Sequence, residues 1–141
     1  MSAALTITQF GFDELVKRLQ SAPAVLNDEL QAKMTDGANN IAAEAAQRAP
    51  VNFGILKNSI IAIPAGSDLV SAVESRAEYS AYVEFGTGTK VEVEPDLEDY
   101  AIQFKGDREV TGMSAQPYFF PALYRQIPLI ISDVNKTLDR I

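Results

Sequence analysis

The order of apolar and polar residues at the start of the chain predicts a short strand followed by a short helix. Residues 5–10 alternate between the two classes, as the residues of a half-buried strand do, and Gly11 ends the alternation. Asp13 and Glu14 suit the first turn of a helix, where negative charge stabilises the helix dipole. Pro23 is expected to end this helix.

A long amphipathic helix is expected from about Ala24 to Ala49. Apolar residues recur there at spacings of three and four, the period of a helix face: Leu26, Leu30, Met34, Ala38, Ile41 and Ala45. Pro50 sets its end, because the residue before a proline avoids the helical conformation. Gly37 lies in mid-helix, where glycine costs about 1 kcal/mol relative to alanine. The sequence leaves a bend, a close contact and a tolerated glycine all open as explanations.

The middle of the chain has the pattern of a helical turn, a β-hairpin and a second short helix. The expected bounds are 55–59 for the helical turn, 60–63 and 69–75 for the strands, and 77–85 for the helix. The hairpin turn is expected around Gly66, with Leu69, Ser71 and Val73 on one face of the second strand. Gly86 follows the short helix, at a position where a helix C-terminus favours glycine.

The last part of the chain predicts a helix that begins at Pro117 or Pro121. Helical spacing continues almost to the final residue, through Leu123, Ile127, Ile130, Ile131, Val134, Leu138 and Ile141. Pro121 fits a first turn, but Pro128 falls inside the helix, so a kink or a restart is expected there. The run 118–120 consists of three aromatic residues that cannot all point one way, so at least one ring is expected in a pocket between segments or subunits.

Acidic residues are concentrated in one stretch of the 141-residue chain. The formal net charge is -7, from 12 basic and 19 acidic residues. The stretch from Lys90 to Gly112 holds seven of the acids (Glu92, Glu94, Asp96, Glu98, Asp99, Asp107 and Glu109) and only three bases. Residues 91–94 and 100–104 alternate like strands. We therefore expect one domain over residues 1–141, with an acidic β-arm or loop inserted at about 87–113.

The residues that are missing exclude several kinds of chemistry. The chain has no cysteine and no histidine, so zinc sites built from them, Ser-His-Asp catalysis, disulfides and thiol chemistry are impossible. The run from Gly86 to Lys90 lacks the spacing of a phosphate-binding loop. A carboxylate pair for glycoside cleavage or a calcium site in the acidic stretch stays open, but a solvated or interfacial acidic arm is favoured. We predict no catalytic residue, no cofactor and no metal ligand.

Charge and hydropathy also bear on partners. A protein that grips nucleic acid needs basic residues to neutralise phosphates, and this chain has an excess of acids. Contact with DNA is therefore expected to be passive and non-adhesive. No apolar run is long enough to span a membrane, and the first ten residues lack the pattern of a signal peptide. These features predict a soluble protein that begins at its natural start.

Three segments in order resemble a known family. Residues 49–60 resemble the pattern A-P-V-x-T-G-x-L-(K/R)-x-S-I, residues 79–87 resemble Y-A-x-Y-V-E-F-G-T, and residues 115–123 resemble A-x-P-F-(L/F)-x-P-A-L. This order is similar to the tail-component, or neck, family of long-tailed bacteriophages, which includes gene-ten-like proteins of lambdoid phages and resembles minor tail protein Z of phage lambda. Phe53 and Ser80 depart from the pattern. The candidate motif and interface residues are Pro50, Gly54, Leu56, Ser59, Tyr79, Tyr82, Glu84, Phe85, Gly86, Thr87, Pro117, Phe119 and Pro121.

The resemblance implies an α+β subunit in which a long helix and a C-terminal helix pack on a small, mostly antiparallel sheet. It implies a non-catalytic virion protein, assembled in the host cytoplasm, that forms a homo-oligomeric ring, expected as a hexamer, between head-closure or connector proteins and the tail terminator or tail tube. DNA would pass through such a ring, and an acidic lumen would repel its phosphates. Glu92, Glu94, Asp96, Glu98 and Asp99 are candidates for that lumen or for contact with a neighbouring ring. A tail terminator, another connector ring and a carboxylate-based virion hydrolase are the alternatives.

Overall fold

A long central helix packs between a small sheet and the C-terminal helix in this protein. The structure, a computed structural model, describes residues 5–7, 13–50, 54–86 and 114–140. The elements are β1 (Leu5–Ile7), α1 (Asp13–Gln20), a 3-10 turn (Ala24–Leu26), α2 (Asn27–Arg48), α3 (Gly54–Asn58), β2 (Ile60–Ile63), β3 (Ala72–Ser75), α4 (Ser80–Phe85) and α5 (Phe119–Leu138). The predicted α+β fold is confirmed, since α2 packs against β2 and β3 on one side and against α5 on another.

The described sheet has three strands in the order β1-β3-β2, and both pairings are antiparallel. Ser75 on the central strand lies opposite Leu5 on one side and Ile60 on the other. Val73 and Ser75 are buried, and they share a face because side chains alternate along a strand. The predicted hairpin of β2 and β3 is thus confirmed, and this face carries the sheet's contacts with the core.

The predicted apolar stripe of α2 is also confirmed. Leu30, Ala38, Ile41 and Ala45 are buried, and Leu26 and Met34 pack beside them. Gly37 lies where α2 meets α5, because a Cβ atom there would stand 2.7 Å from Cγ1 of Ile130. Of the three explanations for this glycine, the structure supports the close contact: the missing side chain lets the two helices approach.

The second strand of the hairpin is shorter than predicted. It begins at Ala72, so the prediction of a strand from Leu69 is wrong. Leu69 has a φ of 61°, in the left-handed region, and its N–H donates to the C=O of Gly66 at 2.9 Å. Leu69 is nevertheless buried. The apolar side chain that suggested a strand therefore reaches the core from the end of a turn.

Several helix boundaries also differ from the prediction: the helix expected over 77–85 begins at Ser80, and the helical turn expected over 55–59 is Gly54–Asn58. The expected long helix opens with the 3-10 turn Ala24–Leu26, and α5 begins at Phe119, between the two prolines proposed as its start. Pro121 does lie in the first turn of α5, as predicted. A restart at Pro128 is wrong, because α5 runs without a break from Phe119 to Leu138. Pro128 lies on the exposed side of α5.

Candidate functional site

The carboxylate of Glu84 lies at the N-terminus of α5. It accepts hydrogen bonds from the backbone N–H groups of Tyr118, Phe119 and Phe120, at 2.7, 2.9 and 2.9 Å. The first N–H groups of a helix have no partner within the helix, and the positive end of the helix dipole favours a negative group. Glu84 is only 2% exposed. A residue of α4 therefore caps a helix that begins 35 positions later in the chain.

Backbone geometry at the end of α4 positions this carboxylate. The N–H of Gly86 donates to the C=O of Tyr82 at 2.9 Å, and Gly86 has a φ of 79°, a conformation that favours glycine. The N–H of Gln116 donates to the C=O of Val83 at 2.8 Å. The approach to α5 therefore lies alongside the end of α4, and the prediction that Gly86 ends this helix is confirmed.

Three buried hydroxyl groups form a second polar cluster beside Glu84. The Tyr118 hydroxyl lies 2.6 Å from Oγ of Ser75, and Ser75 Oγ lies 2.9 Å from Oγ of Ser80. Ser80 Oγ also lies 2.6 Å from the C=O of Ala77, to which it can donate. All three hydroxyl-bearing residues are fully buried. This cluster joins β3, α4 and α5 at one point of the core.

Burial raises the pKa of Tyr118 to about 12, and the negative charge of Glu84 acts in the same direction. The hydrogen bonds from Ser75 and Ser80 oppose the shift but do not cancel it. The phenol is consequently held neutral in the folded protein. In the unfolded chain it ionises near its ordinary pKa of about 10.

The raised pKa predicts a loss of stability at high pH that depends on Tyr118. Because the unfolded chain ionises first, this stabilisation is complete below about pH 10 and falls by up to about 3 kcal/mol as the pH approaches 12. Tyr118→Phe is expected to lower the free energy of unfolding by about 1 to 2 kcal/mol at neutral pH, through the lost hydrogen bond. Between about pH 9 and pH 12 the variant should lose less stability than the wild type.

Urea unfolding of both proteins across that pH range measures the effect. Tyr82→Phe provides a matched control, since Tyr82 is half-buried and lies outside the hydroxyl cluster. It removes one phenol hydroxyl outside the cluster, so the comparison isolates the effect that is specific to Tyr118. If the free energy of unfolding depended on pH identically in the wild type and in Tyr118→Phe, the raised pKa assigned to Tyr118 would be contradicted.

Aromatic rings fill the space around the capped helix end. The rings of Phe85 and Phe120 stack with centroids 5.8 Å apart, and Phe119 meets Phe120 edge to face at 5.7 Å. Tyr118, Phe119 and Phe120 are all buried within the chain. The ring pocket expected for this aromatic run is therefore one between segments of the same chain.

The first family-like segment joins α2 to the sheet. Leu56 of α3 is completely buried, and Ser59 Oγ donates to its C=O at 2.7 Å. The C=O of Ser59 accepts from the N–H of Arg76 at 3.1 Å, which extends the pairing of β2 and β3. Pro50 is half-buried and Gly54 is exposed. The described residues of this segment therefore anchor α3 in the core and extend the pairing of the hairpin.

Glu44 forms a polar link between α2 and α5 that the sequence did not indicate. Its carboxylate accepts from Arg48 at 3.0 Å and from Gln126 at 3.1 Å, and it lies 3.4 Å from Arg125. The Glu44 side chain is 11% exposed, whereas both arginines extend into solvent. A single well-enclosed carboxylate thus holds three donors at the rim of the helix pair.

The surroundings of Glu84 and of the other described acidic residues bear on what the site can do chemically. Both carboxylate oxygens of Glu84 accept hydrogen bonds from backbone N–H groups, and the residue is buried from solvent. Across the described ranges, no three acidic side chains gather in a way that could hold a metal ion. No helix in the described part of the chain has both the length and the apolar character needed to cross a membrane.

Comparison with protein-family models places residues 13–86, more than half of the chain, in the family described as "Bacteriophage HK97-gp10, putative tail-component". The chain belongs to this family. Comparisons with curated proteins and with solved structures find no match. This tail component is thus a structural protein of the phage particle that contacts other virion proteins. The predicted family resemblance is confirmed.

Most of the described candidate residues of the tail component lie in its own core or beside it. Leu56, Glu84, Phe85, Gly86 and Phe119 are buried, and Ser59, Tyr79, Tyr82 and Pro121 are half-buried. Pro117 is exposed, as is Gly54. Thr87 and the acidic candidates Glu92, Glu94, Asp96, Glu98 and Asp99 lie outside the described residues. Contact of the candidate residues with a neighbouring subunit stays a prediction, as does the single domain with its insertion.

Proposed function

We propose that this tail component completes the junction between head and tail, as a ring of identical copies through which the DNA passes. The observation that carries the proposal is the family match over residues 13–86. The ring would contact the capsid connector on one side and the tail terminator or tail tube on the other. Six copies would match a sixfold tail.

The side chains of the family-like segments support a structural role. Glu84, the most enclosed acid of the described residues, holds a helix in place instead of facing a cleft. The hydroxyl cluster around Tyr118 is equally inaccessible. Residues that an enzyme would expose to substrate are used here to join α4, α5 and the sheet.

A phage that lacks the gene tests the proposal. We expect DNA-filled heads and separate tails in electron micrographs, together with a loss of plaque formation that is restored by the gene supplied in trans. Joined particles would contradict the junction role, and tails of abnormal length would favour a terminator. Density for the protein elsewhere in the particle would also overturn the proposal. Cleavage of cell wall or nucleic acid that a single Asp or Glu substitution abolishes would favour the hydrolase.

We further propose that the acidic arm faces the channel or a neighbouring ring. Seven acids within residues 90–112 would repel DNA phosphates and so keep DNA from adhering to the wall. Exchanging its acids for their amides, Glu→Gln and Asp→Asn, removes the charge and keeps the length of the arm. This variant should assemble normally but deliver DNA more slowly, most clearly at low ionic strength, where charge interactions are least screened.

Deletion of residues 91–109 is the companion experiment for the arm. Normal virions with normal DNA delivery from the deletion variant would overturn a role for the arm. A third outcome is that the deletion variant fails to assemble while the amide variant assembles and delivers DNA normally. This outcome would assign the arm to contact with a neighbour and not to the channel.

A further inference from the structure

The described sheet has two open edges, β1 on one side and β2 on the other. Proteins commonly protect such edges with charged side chains. Here no charged side chain occurs in residues 1–11 or in residues 58–67, and three of the four residues of β2 are isoleucine. Both edges therefore lack protection by charge.

Hydrogen bonding within the hairpin shows which backbone groups of β2 reach its open edge. The N–H of Arg76 donates to the C=O of Ser59, its counterpart across the hairpin. The direction of these groups alternates along a strand. Ile61 and Ile63 therefore bond towards β3, and the N–H and C=O groups of Ile60 and Ala62 point to the open edge.

The same alternation assigns the open edge of β1. The backbone groups of Glu74 point towards β2, so those of its two neighbours on β3 point towards β1. These neighbours lie opposite Leu5 and Ile7. Among the residues of β1, the backbone of Thr6 is consequently the one that points outward.

We propose that β2 of one copy pairs with β1 of the next, so that the sheet continues from subunit to subunit around the proposed ring, on which this inference rests. Both strands run antiparallel to β3 and hence parallel to each other. Copies related by rotation bring them together as a parallel pair. In a parallel pair, a residue whose backbone groups face the partner strand does not bond to the residue directly opposite. It bonds instead to the residues before and after that one. The N–H of Thr6 donates to the C=O of Ile60, and its C=O accepts from the N–H of Ala62.

The register of this pairing also favours closure. It places Thr6 of one copy opposite Ile61 of the next. Within one copy, Thr6, Glu74 and Ile61 already form a single row across the sheet. With this register, each subunit is not displaced along the strand direction relative to the one before it. If the register slipped by two residues, each copy would be displaced by about 7 Å along the strands relative to the one before it. Such a displacement would favour an open helical assembly of subunits over a closed ring.

Cross-linking tests the pairing, and the absence of native cysteine makes the test specific. Thr6→Cys and Ile61→Cys copies are expressed together during infection by a phage that lacks the gene, and purified particles are treated with a short bis-maleimide. Cross-linked dimers are expected only when both variants are present. Dimers from Ile61→Cys alone would indicate a two-fold pairing and overturn the proposal. Rings visible in images without cross-links would overturn the pairing and leave the proposed function, whereas particles without rings would overturn both.

Ala62→Pro tests the same contact by removing one N–H. Proline is tolerated on an edge strand where the N–H faces outward, so the monomer should keep its circular dichroism and cooperative unfolding. Ring formation should be lost, while the control Ala62→Ser, which keeps the N–H, should assemble. If Ala62→Pro fails to fold, Thr6→Pro tests the contact from the other strand. Normal assembly of a folded proline variant would overturn the proposal.

A photoreactive label on Ile61→Cys identifies the occupant of the β2 edge. Cross-links to residues near Thr6 of another copy support the pairing. Cross-links within the same chain to residues 87–113 would overturn it, because the edge would then be occupied by the chain itself.

Discussion

Replacing Glu84 by glutamine is expected to lower the free energy of unfolding by about 3 kcal/mol, and replacing it by alanine by more. The carboxylate accepts three backbone N–H bonds of 2.7 to 2.9 Å in a site that is 2% exposed. Glutamine keeps one acceptor but turns an NH2 group towards the same donors. It also removes the negative charge from the positive end of α5.

Urea unfolding at neutral pH measures this effect, with Glu78→Gln as the control. Glu78 is an exposed acid two residues before α4, so the same change in charge should alter stability by no more than about 0.5 kcal/mol. Equal stabilities of the two variants would show that Glu84 does not hold the helix end. Proteolysis offers a second readout, because an uncapped α5 should be cut first near residue 118.

Replacing Phe119 by alanine is expected to lower the free energy of unfolding by about 3 to 5 kcal/mol. Its ring is completely buried and meets the rings of Tyr118 and Phe120 edge to face at 6.1 and 5.7 Å. The substitution removes apolar contact and leaves a cavity at the point where α5 starts. Because a whole domain is stable by only about 5 to 15 kcal/mol, this variant should lose a large share of its stability.

Leu129→Ala is the matched control, since Leu129 lies on the same helix but is 55% exposed. We expect a change of no more than about 1 kcal/mol for it. Phe119→Leu should fall between the two and remain folded, which keeps the comparison measurable. A loss from Leu129→Ala as large as that from Phe119→Ala would instead place the exposed face of α5 in a contact that stabilises the protein.

Periodicity alone predicted most of the elements, and it failed where the backbone conformation of one residue decided the outcome. The stripe of α2 and the strands β1 and β2 follow from spacing. Leu69 looked like a strand residue because it is apolar and is followed by alternating residues. Its left-handed φ belongs to a turn, and that is unusual for a residue with a Cβ atom.

The polar contacts of the core are harder to predict from the sequence than the helices and strands. Glu84 was singled out only through a family-like segment, and nothing in its local sequence indicates that its partners are the N–H groups of residues 118–120. Ser75 carried a usable signal, because it falls on the same strand face as the buried Val73 and so needed a buried partner. The partner itself, Tyr118, lies 43 positions away, and local patterns do not report such separations.

The bonds around Gly86 and Gln116 have a consequence for how this chain can change. They fix the two ends of the segment 87–113 close together, independently of what the segment contains. The entropic cost of closing such a loop grows only with the logarithm of its length, at about 0.6 kcal/mol for each doubling. A fourfold change in the length of a flexible loop between ends held in this way costs only about 1 kcal/mol in closure entropy. The fold therefore holds both ends of this segment with bonds that do not depend on the length between them.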